Sequence, residues 1–426
     1  MTAPGCVSPL HSRFLSIEES LQSLQETFSQ MYQNHVAERI SQYKGHHSVM
    51  VAKRTHTPFT PLLFQNPHII LFYKYFQIPS HELHQKRHDL EWKCRELGLE
   101  GKLRLAGEGI NGTMAGEKDD LQTFVQYLHQ LFAEHFTRAR HVKGALSAAD
   151  SFTAQPVSSR LVPTSKVLHY QDESIDVKWY RGKEKENFPG LVVRVVKELC
   201  TLGISQKWTP QEAQGVHLDP HTFHQMVKEK LETGDDSTVL IDCRNEYEWQ
   251  VGRIPEALCP PTRRFSDFPQ FIDKNVEKLK QKRILMYCTG GIRCERGSAY
   301  LKSKGIDEVY QLAGGIFRYV EALQSDTLFE GKNFVFDNIG YLQATPNKSV
   351  THCCACHNIC DNEHRFCSTA GCKVLLVCCN NCFENQGFLA YCCDECRKYG
   401  CAWEKKLRLM KHDEKLHKKT KHLVVR

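Results

Sequence analysis

Apolar positions recur at helix and strand periods along the chain, and their texture changes three times. Ile17, Leu21, Leu24, Phe28 and Met31 follow steps of four and three, one stripe of a helix. Ser16 and Glu19 have the capping-box spacing that opens such a helix, which is predicted to end near Gly45. Three prolines between Thr55 and Pro67 mark a linker, so residues 1–66 read as a helical extension and its connection.

A second texture begins with the apolar run His68–Phe76, a buried strand. A helix is predicted from His81 to Leu97, stopped by Gly98. Strands Lys102–Ala106 and Gly112–Ala115 follow around the turn Gly107–Asn111, then a helix from Lys118 to Phe132. Strand-like runs return at Val167–Tyr170, Asp176–Tyr180 and Leu191–Val196. The order β-α-β-β-α-β predicts a ferredoxin-like α+β domain over 67–200. From Val216 strands and helices alternate, with apolar strands Val239–Asp242, Ile284–Tyr287 and Val309–Leu312 and helices near Phe271–Lys280 and Glu295–Lys304. That alternation predicts a parallel α/β domain over 215–325, so the chain as a whole is α/β multidomain.

Composition changes the picture at the C-terminal end. Thirteen of the 20 cysteines lie between Cys353 and Cys401, inside a third region, 326–404. In a long chain without a secretory leader pattern, such a patch reads as a metal site rather than a disulfide framework. The acids Glu18, Glu19 and Glu26 argue against a mitochondrial presequence. No apolar run approaches the roughly 18 residues of a membrane span. The expected location is therefore cytosolic, with the nucleus as the alternative. Residues 405–426 hold nine Lys/Arg against two acids, so this tail carries the whole net charge of +7. A basic tail suits an anionic partner such as RNA, or simply solubility.

The chemistry concentrates at Cys288–Thr289–Gly290–Gly291–Ile292–Arg293, between a strand and a helix predicted to start near Cys294. Cys288 thus lies beyond the carboxyl end of a parallel strand, where such sheets bind ligands. The two glycines let N–H groups turn inward, and the helix start adds partial positive charge. Arg293 either reinforces that field or closes the loop. All of this favours a thiolate, lowering the pKa from about 8.5.

Cys288–Arg293 resembles the active loop of rhodaneses, which transfer sulfane sulfur as a cysteine persulfide. Asp242–Cys243–Arg244, Glu246–Tyr247–Glu248 and Gly252–Arg253–Ile254–Pro255–Glu256–Ala257 resemble the same family, with Arg253 replacing the usual His and Glu256 the usual Gly. So does Gly314–Gly315–Ile316–Phe317. Asp242 and Arg244 are expected to support the fold through hydrogen bonds rather than touch substrate. Related phosphatases have one more loop residue, so the shorter cradle implies sulfur handling.

The resemblance extends to the rhodanese-type tRNA uridine hydroxylases over about residues 67–400. It rests on Leu105–Thr113, Gly215–Leu218, Tyr287–Glu295 and Gly331–Asp337, with the cysteine-rich end. It implies a tRNA-modifying oxidoreductase that hydroxylates wobble uridine at C5, with O2 as co-substrate and Cys288 essential. The alternative is a sulfurtransferase carrying sulfane sulfur on Cys288. No flavin or nicotinamide fingerprint and no two-His, one-carboxylate iron pattern is found. Cys294 is a candidate to resolve an oxidised Cys288, or only fills the helix's first turn.

Lys178, Trp179, Tyr180 and Arg181 interleave cations with aromatics, suiting RNA, and Arg194 and Lys197 could add charge; a half-exposed strand face gives the same pattern. In the cysteine-rich region, Cys353-x2-Cys356 and Cys379-x2-Cys382 suit one tetrahedral Zn2+. A cross-braced partner site would take Cys367, Cys372, Cys393 and Cys396. Cys360 could replace one ligand, while Cys354, Cys378, Cys392 and Cys401 look like spares. Closed sites of this kind are structural.

Overall fold

Alternation of buried and exposed positions builds the first domain. In this computed structural model the described residues are 64–149, 175–184, 187–204, 213–345, 349–360, 364–369, 372 and 374–399. The predicted N-terminal helix, the linker up to residue 63, the strand at Val167–Tyr170, Cys401 and the basic tail lie outside them. Among them no helix is long and apolar enough to cross a membrane.

Strand β1 (Pro67–Tyr75) leads into α1 (Leu83–Glu96), β2 (Glu100–Ala106), β3 (Gly109–Glu117), α2 (Lys118–Ala149) and β4 (Lys178–Arg181). The sheet order is β4-β1-β3-β2, all antiparallel, as the ferredoxin-like expectation requires. A fifth strand, β5 (Leu191–Val195), joins the far edge parallel to β2. The β2–β3 turn is tighter than predicted, only Gly107–Glu108, and α2 continues well beyond Phe132. One sheet face sends Ile70, Phe72, Leu103 and Met114 against Leu90, Phe124 and Phe132 of the two helices. Each such buried side chain contributes roughly 1.5–3 kcal/mol. The opposite face carries Leu71, Tyr73 and Tyr75.

The parallel domain begins with β6 (Val216–Leu218) and α3 (Pro220–Thr233). Asp219 caps α3 by accepting from the His221 and Thr222 N–H groups, and Gly234 closes it in the left-handed conformation. Then come β7 (Thr238–Asp242), α4 (Glu246–Val251), β8 (Gly252–Arg253), α5 (Phe268–Leu279) and β9 (Arg283–Tyr287). After β9 come α6 (Ile292–Ser303), β10 (Val309–Leu312) and α7 (Gly315–Leu323). The strands run parallel in the order β6-β10-β9-β7. Ile284, Leu285, Met286 and Tyr287 of β9 are buried on both faces, as a central parallel strand should be.

Strands β11 (Glu330–Phe334) and β12 (Tyr341–Gln343) pair beside β8. The last region holds the hairpin β13 (His364–Phe366) and β14 (Leu375–Val377) and the short helices α8 (Asn380–Asn385) and α9 (Asp394–Tyr399). Its small core is made largely of cysteines, among them Cys353, Cys367, Cys372, Cys378 and Cys396. It packs on the parallel domain where Val251 and Phe334 meet Val377, with Tyr247 and Leu375 against them.

Candidate active site

The chain leaves β9 at Tyr287, turns through Cys288–Gly291 and enters α6 at Ile292, two residues earlier than Cys294. Gly291 has φ +105°, and a Cβ there would meet the Tyr73 hydroxyl at 2.5 Å, so two demands select glycine. Gly315 (φ +65°) is pinned likewise, since its Cβ would lie 2.5 Å from the Cys288 carbonyl. Ile316 donates its N–H to that same carbonyl at 3.0 Å, fixing the back of the loop.

Cys288 is fully buried. The Gly291 N–H donates to its sulfur at 3.1 Å. Burial works against a thiolate. The Cys294 thiol, the Arg293 charge and the backbone N–H groups of Arg293 and Cys294 outweigh it and lower the pKa to about 5. Cys294 is itself held firmly as a thiol, by burial and by its contacts with Cys243 and Cys288.

Arg293 closes the loop from within. Its Nη1 and Nη2 donate to Glu248 at 2.6 and 2.8 Å, and Nη2 also reaches Thr289 Oγ1 at 3.0 Å. Thr289 Oγ1 donates to Glu248 Oε1 at 3.2 Å. Burial opposes the Glu248 charge, but Arg293 and then Arg244 keep its carboxyl below the usual range. Asp242 and Arg244 form a fully buried pair at 2.7 Å, and Arg244 also donates to the Gly252 carbonyl at 2.5 Å. Neither reaches the Cys288 sulfur through a hydrogen bond; they tie the end of β7 to β8.

The free face of the first domain's sheet covers the loop. The Tyr73 hydroxyl donates to Glu295 at 2.9 Å, and Leu71 stands over Gly290. Arg296 binds Glu108 at 3.0 Å, and Arg318 binds Asp176 at 2.6 Å. Behind them His217 and Gln311 bind Glu295 at 2.9 and 3.0 Å.

This packing takes Lys178 out of the solvent-facing set expected on β4. Lys178 is only 2% exposed, bound to Asp176 at 2.7 Å and placed 5.2 Å from the Tyr73 ring centre. Burial lowers its pKa, while Asp176 and also Cys288 act to raise it, so the ammonium belongs to the cysteine's surroundings rather than to solvent. Tyr180 is also turned inward, bonded to Asp337 and 5.4 Å from the Phe317 ring. Trp179 and Arg181 face outward, as period-two alternation dictates. Arg194 is exposed, but on β5 at the opposite edge of the sheet from Arg181. Sequence reasoning also gave Glu248 no role beyond its family pattern and missed the covering Tyr73. The spacing Asn245-x-x-Glu248 signals a helix start, and Glu248 does accept the Asn245 N–H at 3.0 Å, but its ion pair is tertiary.

The cysteine-rich region contains two groups of four sulfurs, each within 4.8 Å of one another. The first is Cys353, Cys356, Cys379 and Cys382, and the second is Cys367, Cys372, Cys392 and Cys396. Cys392 therefore stands where Cys393 was expected. Cys393 stays beside the group, its sulfur 3.8 Å from that of Cys392, and accepts the Cys396 N–H at 3.4 Å as Cys379 accepts that of Cys382. The interleaved order is the cross-brace, and either group could bind a metal ion. A cavity of about 450 Å3 beside Thr238 and Arg283 lies at the starts of β7 and β9, the end of the sheet away from Cys288.

Comparison with known proteins matches three family descriptions in the same order. Residues 67–199 match the UPF0176 acylphosphatase-like domain, 223–322 the rhodanese-like domain and 330–397 the rhodanese C-terminal region. The chain is 34% identical over 271 residues to a tRNA uridine(34) hydroxylase of Legionella pneumophila (strain Paris), covering 63% of this chain and 88% of that protein. It is also 34% identical to rhodanese-like domain-containing protein 6 of Arabidopsis thaliana, covering 78% of this chain but only 53% of the longer plant protein. The solved rhodanese-like domain of an Anabaena sp. protein aligns with 28% of this chain and 79% of its own, at 24% identity and a TM-score of 0.21.

Proposed function

The chain belongs to the UPF0176 rhodanese family together with the tRNA uridine(34) hydroxylase it resembles, and from that premise we propose that it is a tRNA-modifying enzyme working through Cys288. The reaction is oxygen-dependent hydroxylation at C5 of the wobble uridine. One oxygen atom of O2 enters the base, the other leaves as water, and a donor supplies two electrons and two protons.

The observation that carries this reading is the setting of the Cys288 sulfur, buried under the first domain and facing the Gly291 N–H at 3.1 Å, which favours the anion. A thiolate is the nucleophile such chemistry needs, since a protonated thiol is far less reactive. The N–H groups of Gly291, Arg293 and Cys294 hold its charge, the Arg293 guanidinium adds to that field, and Glu248 keeps Arg293 in place. The Cys294 thiol donates to Cys288 and so adds to the stabilisation of its charge. Exclusion of water by the first domain protects the thiolate from side reactions.

A second reading, sulfur transfer from a persulfide on Cys288, is favoured by the same converging N–H groups. They suit a terminal sulfur anion as well as a thiolate.

We assign Zn2+ to both four-cysteine groups. Four sulfur donors with no open position are the set of a structural zinc site, so the metal would hold the region together and take no part in the reaction. The cysteine-rich region supports α4 directly: His364 bonds the Tyr247 carbonyl at 3.1 Å, one residue from Glu248.

The test is mass spectrometry of wobble nucleosides in tRNA from cells lacking the protein, rescued with wild type or with Cys288→Ser. Loss of an oxidised uridine that only wild type restores is the expected result. An unchanged profile would overturn tRNA hydroxylation and leave sulfur transfer as the leading account.

A further inference from the structure

A cavity of about 220 Å3 opens beside the active loop, where β4, α7 and β11 meet. Its wall includes Lys178, Tyr180, Phe317 and Asn333. Phe317 and its neighbour Ile316 donate their N–H groups to the Thr289 and Cys288 carbonyls at 3.2 and 3.0 Å, so this wall is continuous with the loop. Lys178 marks the buried end, and Trp179, 37% exposed, marks the mouth.

Asn333 is 4% exposed, and its side-chain Oδ1 has no hydrogen-bond partner among the described residues. Buried amide oxygens are nearly always satisfied, so an orphan in a cavity wall calls for a ligand that donates a hydrogen bond. The other wall groups narrow the choice. Tyr180 and Phe317 offer rings 5.4 Å apart, surfaces on which a flat heterocycle can lie. A cavity of about 150 Å3 accepts benzene, so this one has room for a single six-membered ring and its exocyclic atoms. A carboxamide presents an acceptor and a donor side by side, whichever way it is turned. The N3–H and adjacent carbonyl of uracil present the complementary pair.

We infer that this cavity takes the uracil base of the substrate nucleotide, swung out of its stack, with Asn333 accepting from N3–H and Tyr180 and Phe317 against the ring. The inference rests on the tRNA reading above and adds a base-reading residue to it. Bases recognised in single-stranded RNA loops are splayed out, stacked on aromatic side chains and read on this edge. It also gives the covering domain a role, because β4 supplies one wall of the cavity and the start of α7, which holds the active loop through its N–H groups, supplies another.

The experiment measures binding of two short anticodon stem–loop RNAs, one with uridine and one with 3-methyluridine at the first anticodon position. The full chain carries Cys288→Ser throughout, so that no turnover occurs. Without further substitution it should prefer uridine by roughly tenfold, the lower range for a paired base contact. Asn333→Ala removes the acceptor and makes room for the methyl group, so it should bring the two affinities together. A merely structural Asn333 would weaken both RNAs alike and keep the ratio. Phe317→Leu should weaken both by roughly tenfold with the ratio intact, and far-ultraviolet circular dichroism checks that each variant folds. Equal binding of the two RNAs without further substitution, or an unchanged ratio in Asn333→Ala, overturns the base-reading role. Equal binding alongside a positive wobble-nucleoside result removes this inference alone. Failure to bind either RNA removes it together with the tRNA reading.

Discussion

Cys288 and the cysteines of the C-terminal region put one side chain to opposite uses. Around Cys288 the nearest groups donate to the sulfur: a backbone N–H at 3.1 Å, a neighbouring thiol and a guanidinium's charge. In the C-terminal region sulfurs face sulfurs, Cys356 and Cys379 at 3.9 Å and Cys392 and Cys396 at 3.5 Å. Four anions so close cannot all be ionised without a cation between them, whereas one anion facing donors can. The first arrangement makes a nucleophile and the second a chelator. Chelation is assembled from short local spacings. The nucleophile depends on a carboxylate from α4 and a cover from another domain.

The largest break in this comparison should come from removing metal. Stripping zinc with a strong chelator should cost the C-terminal region on the order of 10 kcal/mol, read as rapid proteolysis between residues 349 and 399. Rhodanese-domain peptides should resist far longer. Uniform digestion of both regions would contradict the division.

Next in size is Glu248→Ala. It leaves Arg293 buried without its carboxylate partner and should lower unfolding free energy by about 3–5 kcal/mol in urea titration. Adding Arg293→Met should recover part of that loss. An additive double variant would mean the pair is not coupled.

The smallest effect is expected at the covering interface. Arg318 is 34% exposed and Asp176 20%, so Arg318→Ala should cost only about 1 kcal/mol after solvent screening. It should nevertheless raise the alkylation rate of Cys288 several-fold, because the sulfur is reached only when the cover opens. No change in rate would show that access does not run through this seam.

The loop was readable in the sequence because a contiguous backbone builds its cradle, and glycines, cysteine and arginine at fixed offsets report it. The ferredoxin-like order was readable from strand and helix periods. Faces were harder. Lys178-Trp179-Tyr180-Arg181 alternates inside and outside by geometry, but which parity faces inward depends on packing against a domain more than a hundred residues away. Arg181 and Arg194 look like neighbours in order and lie on opposite sheet edges, because β5 crosses over to pair with β2. The choice between Cys392 and Cys393 was open for a related reason: adjacent residues give two candidates, and only the folded cluster brings the Cys392 sulfur within 3.7 Å of that of Cys372. The first strand and helix of the parallel domain, β6 and α3, were not delimited, since three residues of strand carry too little periodic signal.

The central claim is that Cys288 is a preformed thiolate. A pKa near 5 in the folded chain, against about 8.5 for a free thiol, means the anion's stabilising contribution is complete above about pH 8.5 and is lost as pH falls towards 5. The direct measurement is the rate of Cys288 alkylation by iodoacetamide against pH, resolved by peptide mass spectrometry. The account predicts a half-maximal rate near pH 5, moving upward in Arg293→Met. A midpoint near 8.5, indifferent to Arg293, would contradict it.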